Sequence, residues 1–452
     1  MRRKCPNQMS LLTRYFKMPL MRILGRNFYK YYKKLAKSQY YSLEKLQEIQ
    51  FNKFKEILEI AYNNVDFYNN LYKEKGIKFS DISSLKDISK LPIITKKELK
   101  KIPLDNITNR LVKKDKIIKN STSGSTGKPF VFALNWGKKD KIEALKIRNF
   151  EYTGYAYGRK YFSLWGFTPA DNYKSKLFKR FILKRQLLDS INLNKVNKEI
   201  YSRILMKNQN NYLEGYASGL VILAKYMISK GYKTNLCGIL SSAESLIPKH
   251  REYLQEAFGK KIYNRYGTRE FGDIAIECMK HTGLHINMES FIVEIVNENG
   301  KLCKPGEMGL IVVTDLDNKV MPFIRYHLED YASIMLEKCT CGRFSTLLSP
   351  PEGRIVDTIV TPSGKHLSFG FFVLMFEDYP IIDQFQVVQV DKKNIELKII
   401  KNENFSEKVF ISLLRKVEKY CEPMRVKVNY VLEIPLEKSG KMRIVKGLYG
   451  LE

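Results

Sequence analysis

The stretch Asn120-Ser121-Thr122-Ser123-Gly124-Ser125-Thr126-Gly127-Lys128-Pro129 lies between a Lys-rich segment and the apolar run Phe130-Val131-Phe132-Ala133-Leu134. Its residues are small, hydroxylated, charged or backbone-punctuating, so it reads as a loop whose N–H groups and hydroxyls can surround an anion. Glycines let the backbone approach a polyphosphate closely, and Lys128 adds a point charge. The spacing is not that of a Walker loop: two residues separate Gly124 from Gly127, and Pro129 rather than Ser or Thr follows Lys128. The plain alternative is a solvated Ser/Gly linker.

With 452 residues the chain is long enough for two or three domains. No apolar run approaches the ~18 residues of a membrane helix, the longest being Phe369 to Phe376. The basic N-terminus lacks an apolar stretch followed by a small-residue cleavage site, so a cytoplasmic protein is expected. The cysteines, Cys5, Cys237, Cys278, Cys303, Cys339, Cys341 and Cys421, are odd in number and thinly spread, which argues for reduced thiols over a disulfide framework. The formal charge of +31 implies attraction to polyanions or anionic membranes. No zinc-finger, RNA-recognition or helix-turn-helix signature accompanies it, so nucleic acid is not the expected partner.

Residues 1–40 contain eleven Lys or Arg and no acid, interleaved with aromatic and aliphatic residues. Such a basic amphipathic arm either lies at an anionic bilayer, which would place the protein at the inner membrane surface, or packs as a helix on the main domain. Ser42 to Asn63 carries apolar residues at helical spacing, and Thr95 and Glu98 have the spacing of a capping box; both read as scaffold. After the loop, strand-like runs such as Tyr161 to Trp165 alternate with helical stretches such as Pro248 to Phe258, predicting an α/β sheet with ligands at its strand ends. From Ile292 strands and turns take over. Pro350-Pro351-Glu352-Gly353 marks a boundary, beyond which strands surround a helix from Glu407 to Tyr420. The predicted organisation is an arm (1–40), a large multi-subdomain α/β domain with a β-rich subdomain (41–352) and a small mobile α+β domain (353–452).

In order and spacing, these stretches resemble the adenylate-forming superfamily, most closely its phenylacetate:coenzyme A ligase-like branch, which includes proteins encoded with capsular polysaccharide genes. The resemblance implies that Ser121, Thr122, Ser123, Gly124, Ser125, Thr126, Gly127 and Lys128 hold the β- and γ-phosphates of ATP. It places Ser242, Ala243 and Glu244 along the adenine. Tyr266-Gly267-Thr268-Arg269-Glu270 resembles a Tyr-Gly-x-Thr-Glu motif, with Tyr266 near adenine and Glu270 as Mg²⁺ ligand, the hard oxygen donor that ion prefers. Arg269 stands where the wider superfamily has Thr. In Arg325-Tyr326-His327-Leu328-Glu329-Asp330, Asp330 is implied to bind the ribose hydroxyls, and Glu329 replaces a usual Gly. Arg354 resembles a second ribose contact at the hinge. Lys441, in Ser439-Gly440-Lys441, resembles the lysine that the small domain inserts for adenylation.

A further constellation, Cys278-x-x-His281-x-x-x-His285 and then Cys339-x-Cys341, has the form of a four-ligand structural zinc site. Cys278, His281, Cys339 and Cys341 are the expected Zn²⁺ ligands, with His285 as the competitor. Similar spacing occurs in the branch that the chain resembles.

The implied activity is ATP- and Mg²⁺-dependent conversion of a small carboxylic acid to an acyl-adenylate, with transfer to a thiol, coenzyme A by family default. Alternatives for the acceptor are a carrier-protein thiol or an amine, in surface polysaccharide or secondary metabolite biosynthesis. A different class of reading is a catalytically degenerate, basic protein that binds membranes or nucleic acid. The acid pocket is expected among residues 160–270, with Trp165, Phe167 and Tyr216 supplying aromatic surface, and the oligomer expected is a dimer.

Overall fold

The computed structural model describes residues 26–122, 130–156, 158–165, 185–190, 193–209, 211–259, 261–352, 358–363, 365–368, 371–372, 375–376, 379, 381–435 and 443–448. Helices α1 (Phe28–Ser38), α2 (Leu43–Asn64), α3 (Asp66–Glu74) and α4 (Lys96–Leu99) precede strands β1 (Ile118–Ser121) and β2 (Val131–Leu134). Next come α5 (Trp136–Tyr152), β3 (Tyr161–Trp165), β4 (Arg185–Asp189), α6 (Lys195–Lys207), β5 (Tyr212–Tyr216), α7 (Ala217–Ser229), β6 (Gly238–Ser242), α8 (Pro248–Phe258) and β7 (Ile262–Thr268). The following run is all strand: β8 (Gly272–Glu277), β9 (Leu284–Ile286), β10 (Phe291–Val296), β11 (Gly309–Asp315), β12 (Tyr326–Ala332) and β13 (Leu347–Leu348). The C-terminal part holds β14 (Thr358–Val360), β15 (His366–Ser368), β16 (Ile382–Gln389), β17 (Asn394–Lys401), α9 (Glu407–Cys421), β18 (Arg425–Tyr430) and β19 (Val445–Lys446).

The main sheet has the order β13-β9-β8-β7-β6-β5-β3-β4, parallel from β7 to β4 and antiparallel from β7 to β13. Because strand side chains alternate between faces, the parallel strands bury two different sets. Phe162, Leu164, Leu213, Ile239 and Ile262 face α7 and α8 in one core. Tyr161, Tyr212, Leu240, Tyr263 and Ile276 face the other way, into a core shared with α1 and α5. At the carboxyl edge Tyr216 is level with Ser242, and Ser242 with Arg265. Ligands of open α/β sheets bind along such an edge.

A three-stranded sheet, β10-β11-β12, forms a third core with α2, whose N-cap Ser42 accepts a hydrogen bond from Lys45 N and whose Leu46, Phe54, Ile57, Leu58 and Ala61 lie on one buried face. The C-terminal sheet, β18-β17-β16-β19, has its own core of Val387, Leu397, Phe410, Leu413 and Val417 under α9. This is the α/β architecture with a smaller α+β part that the sequence pattern predicted.

Of the basic arm, the described part packs on the main domain. Arg26 and the Asn27 N–H bind Asp140 at 2.5 and 2.6 Å, Tyr32 donates to Glu151 at 2.6 Å, and Ser38 donates to Glu289 at 2.7 Å. Residues 1–25 lie outside the described residues. Among the described cysteines, Cys278, Cys303, Cys339, Cys341 and Cys421 are free. Cys237 departs from the expectation of reduced thiols: it is disulfide-bonded.

Candidate active site

Strands β1 and β2, which flank the Ser/Thr/Gly-rich stretch, pair as an antiparallel hairpin in which Ser121 is opposite Val131. Its base is closed by two hydrogen bonds: Thr122 N donates to Phe130 O at 3.0 Å, and Phe130 N donates to Thr122 Oγ1 at 3.2 Å. Ser121 and Thr122 are therefore placed; Ser123, Gly124, Ser125, Thr126, Gly127 and Lys128 lie outside the described residues.

Strand β7 ends in the Tyr266-Gly267-Thr268 segment, and a register shift against β8 falls between Tyr266 and Gly267. A Cβ on Gly267 would stand 2.2 Å from Gly272 O, so only glycine fits where the two backbones approach this closely. Past this bulge Thr268 Oγ1 accepts from Phe271 N at 3.4 Å, and Glu270 is buried while Arg269 points into solvent. Tyr266 donates its hydroxyl to Asp330 Oδ2 at 2.7 Å, joining the predicted adenine and ribose positions across 64 residues. Glu329, where the resembled family has Gly, adopts φ 63°, the left-handed conformation that glycine takes at least cost.

Ser242, the last residue of β6, accepts from Arg265 Nε at 3.1 Å, and Ala243 turns the chain with φ 68°. Glu244 then accepts from Ser218 N at 2.7 Å at the start of α7, where a carboxylate complements the helix dipole. Trp165 and Tyr216 stack at 4.2 Å on the same carboxyl edge; Phe167 lies outside the described residues. Burial, then Glu244, pushes the Tyr216 hydroxyl up to about 12 against the pull of Arg269. Beneath this row Glu214 is fully buried, accepting from Ser163 at 3.0 Å and ringed by Lys146, Arg185 and Arg265 at 3.5, 3.5 and 3.8 Å.

One residue at this edge was absent from the sequence reading. Lys96, in the capping-box segment read as scaffold, places Nζ 3.4 Å from Glu270 Oε1 and 5.7 Å from the centre of the Phe130 ring. Spacing alone marks the helix start; only the fold brings it across 174 residues to Glu270. The Tyr326 hydroxyl is buried here with no hydrogen-bond partner among the described residues. Burial raises its pKa, and the charges of Glu270 and then Glu329 raise it further. A buried carboxylate beside an unmatched hydroxyl is a donor set that suits a hydrated Mg²⁺ with bound phosphates. Arg354 and Lys441 lie outside the described residues.

The cysteine–histidine constellation comes together with one change. Cys278, His285, Cys339 and Cys341 present ligand atoms that all lie within 4.8 Å of one another. Cys278 Sγ is 3.5 Å from Cys339 Sγ, and His285 Nε2 is 3.4 Å from Cys341 Sγ. These are edge lengths of a tetrahedron whose centre is about 2.0–2.3 Å from N and S, so the set fits zinc. Ser345 Oγ, 3.0 Å from His285 Nδ1, supplies the outer partner that ligating imidazoles usually have. His281 is the correction. His285 pairs with Ile276 across β8 and β9, so Cys278, two residues beyond Ile276, falls on the same face as His285. His281 sits in the intervening turn at φ 55°, its Nδ1 3.1 Å from Glu277 Oε1.

A family model described as the CapK C-terminal domain matches residues 359–447. Protein CapK of Staphylococcus aureus is 26% identical over 401 residues, covering 84% of each chain. The phenylacetate-coenzyme A ligase of Thermus thermophilus is 24% identical over 314 residues, 66% of this chain and 68% of that one. Among solved structures, 2-hydroxyisobutyryl-CoA ligase in the postadenylation state, in complex with 2-HIB-AMP, superposes with a TM-score of 0.69 at 17% identity over 91% of both chains. At that identity the superposition speaks for the fold.

Proposed function

We propose, from the premise that this chain is a relative of CapK and the phenylacetate-coenzyme A ligases with the fold of adenylate-forming ligases, that it is an AMP-forming acid–thiol ligase. The observation that carries the reading is that the Tyr266–Asp330 pair joins two sheets beside the buried Glu270, whose partner Lys96 lies 5.7 Å from the ring of Phe130 at the base of the Ser/Thr/Gly loop. In the first step a carboxylate oxygen attacks the α-phosphorus of ATP, the bond to the β-phosphate oxygen breaks, and pyrophosphate leaves. The acid itself is the nucleophile, so no side chain need become acylated. Asp330 offers acceptor oxygens to the ribose diol, held in orientation by Tyr266. Glu270 would hold Mg²⁺, which when bound neutralises phosphate charge. Lys441 is the proposed cation at the α-phosphate, where negative charge grows in the transition state, and Arg354 the hinge contact with ribose. In the second step a thiol sulfur, as thiolate, attacks the acyl carbonyl and AMP departs.

The Trp165–Tyr216 stack supports an acid pocket at the end of β3 and β5. Coenzyme A is the proposed acceptor. The second reading keeps the same adenylation and passes the acyl group to an amine or a carrier-protein thiol. Zinc in the Cys278–His285–Cys339–Cys341 set is proposed as structural, since four protein donors leave no open position.

A panel of carboxylic acids in an ATP–pyrophosphate exchange assay tests the reading, with Lys441→Ala as the diagnostic variant. Exchange should appear with a subset of acids and vanish in the variant, while transfer from preformed acyl-adenylate survives. Absence of exchange with every acid, or normal exchange in Lys441→Ala, would sink it.

A further inference from the structure

We propose that helix α1 is an attachment surface for an anionic lipid bilayer, held flat against the headgroups by a stripe of lysines on its outer face. The inference is independent of the ligase reading and assigns a partner to a feature, the basic arm, that the ligase chemistry leaves without a part.

The two readings of the arm, a packed helix and a bilayer contact, are compatible because α1 has two different faces. Phe28, Tyr31, Tyr32 and Leu35 face inward and pack in the core shared with α5. Lys30, Lys33, Lys34 and Lys37, at i, i+3, i+4 and i+7, are all exposed on the opposite face. They fill an arc about 100° wide and about 10 Å long. The acids beneath the helix, Asp140, Glu151 and Glu289, are engaged by Arg26, Tyr32 and Ser38. Helix α1 itself carries no acid, and among the described residues none of its four exposed lysines forms an ion pair. Two like-charge pairs at i,i+4, Lys30–Lys34 and Lys33–Lys37, therefore repel along the helix with nothing of opposite sign to offset them. A polyanion supplies what is missing.

Two features favour a bilayer over nucleic acid. The stripe runs along the convex back of a helix, which meets a plane of charge over its whole length but offers no groove to track a strand. Exposed aromatic rings stand at its two ends, Trp136 beside Arg26 and Tyr40 just past the last turn, 52% and 53% exposed. Each ring lies beside cations and is poorly placed to stack on a base: Arg26 and Lys139 are both 4.8 Å from the Trp136 ring centre, and Arg343 is 5.2 Å from that of Tyr40. Amphipathic rings with a wet edge suit the headgroup region. Because the apolar face of α1 is occupied by the core, attachment is electrostatic, without insertion into the acyl chains.

The experiment is co-sedimentation of the full-length chain with vesicles of about one-third phosphatidylserine in phosphatidylcholine, and with vesicles of phosphatidylcholine alone. Wild type is compared with Lys30→Gln/Lys33→Gln/Lys34→Gln/Lys37→Gln and with a control, Lys73→Gln/Lys75→Gln/Lys78→Gln/Lys86→Gln, whose four lysines are also exposed. Each quadruple variant lowers the formal charge from +31 to +27, so a difference between them reports place and not net charge. A cation near the surface strengthens binding about fivefold, so the α1 variant should bind the mixed vesicles about 100-fold or more weakly, and the control should stay within about threefold of wild type. Wild type should ignore phosphatidylcholine and leave the mixed vesicles at high salt. Glutamine removes the like-charge pairs at little cost in helix propensity, so the melting temperature of the α1 variant should not fall. Wild type that binds neither vesicle, or both alike, overturns the proposal, as do two variants that bind alike. Tighter binding of duplex DNA or single-stranded RNA than of the mixed vesicles, lost in the α1 variant, overturns it also and makes nucleic acid the partner.

Discussion

Gly267→Ala is the sharpest test of how the Tyr266–Glu270 segment is built. The new Cβ would lie 2.2 Å from Gly272 O, 3.0 Å from Gly272 C and 3.1 Å from Asp273 Cα, all backbone atoms that cannot rotate away. Unstrained C···O contacts are about 3.3–3.6 Å, so β7 and β8 must part by more than about 1 Å. Overpacking of this kind costs about 1–3 kcal/mol. The shift falls at the bulge between Tyr266 and Gly267, so the hydroxyl that holds Asp330 and the turn that presents Glu270 move with it. A displacement near 1 Å at reacting groups costs about 100-fold in rate. Thermal unfolding should register the first effect and ATP–pyrophosphate exchange the second. Gly76→Ala is the control: its φ of +65° carries a backbone penalty, but nothing lies within 4 Å, so it should destabilise by about 1–2 kcal/mol and leave exchange untouched. Gly267→Ala with wild-type melting and wild-type exchange would refute the close strand approach and the dependence of the site upon it.

Two further predictions rest on side chains away from the nucleotide. Metal analysis of purified protein should find one zinc per chain, lost in Cys339→Ser and His285→Ala but retained in His281→Ala; the reverse behaviour of the two histidines would rule out the ligand set drawn from register. Burial alone would raise the Glu214 carboxyl, but Lys146, Arg185, Arg265 and the Ser163 hydroxyl pull it down to about 2. A depressed carboxylate stabilises the fold above its unfolded value and loses that contribution as pH falls from about 4.5 to about 2, here an order-of-magnitude 3 kcal/mol. Glu214→Gln should lower stability at neutral pH, because three cations lose their counter-ion, and should flatten the acid limb of stability against pH. An acid limb of equal slope in both proteins would count against the cluster.

What could be read from the sequence was what local periodicity and spacing control. Pro248 to Phe258, expected as a helix in the strand–loop–helix succession, is one, with Pro248 at the start where its missing N–H costs nothing. Tyr161 to Trp165 is the strand that its aromatic and aliphatic run suggested. The histidine ligand was not legible, because His281 stands nearer Cys278 in the chain than His285 does, and only pairing with β8 puts His285 on the cysteine's face. Lys96 was not legible either, since a capping box looks alike whether or not its first-turn lysine faces a site. The substitution at Glu329 could be seen, but its left-handed backbone could not.

Arg325 ties these threads together, because this residue of the motif, given no role by the sequence, is an anchor. It is buried, with its guanidinium 3.1 Å from both Glu294 oxygens and donating to the carbonyls of Ser89 and Leu91. Its own carbonyl accepts from Ile94 N at 2.9 Å, and its N–H donates to Thr314 Oγ1 at 3.0 Å. A rigid five-donor fork suits such a junction, where a lysine would satisfy fewer acceptors. The junction fastens the segment that carries Lys96 to the strand that carries Asp330, so one arginine sets the relative position of a cation and an acid from opposite ends of the large domain. The spacing from Arg325 to Asp330 therefore encodes more than the placement of one carboxylate. It also fixes which part of the N-terminal segment meets Glu270.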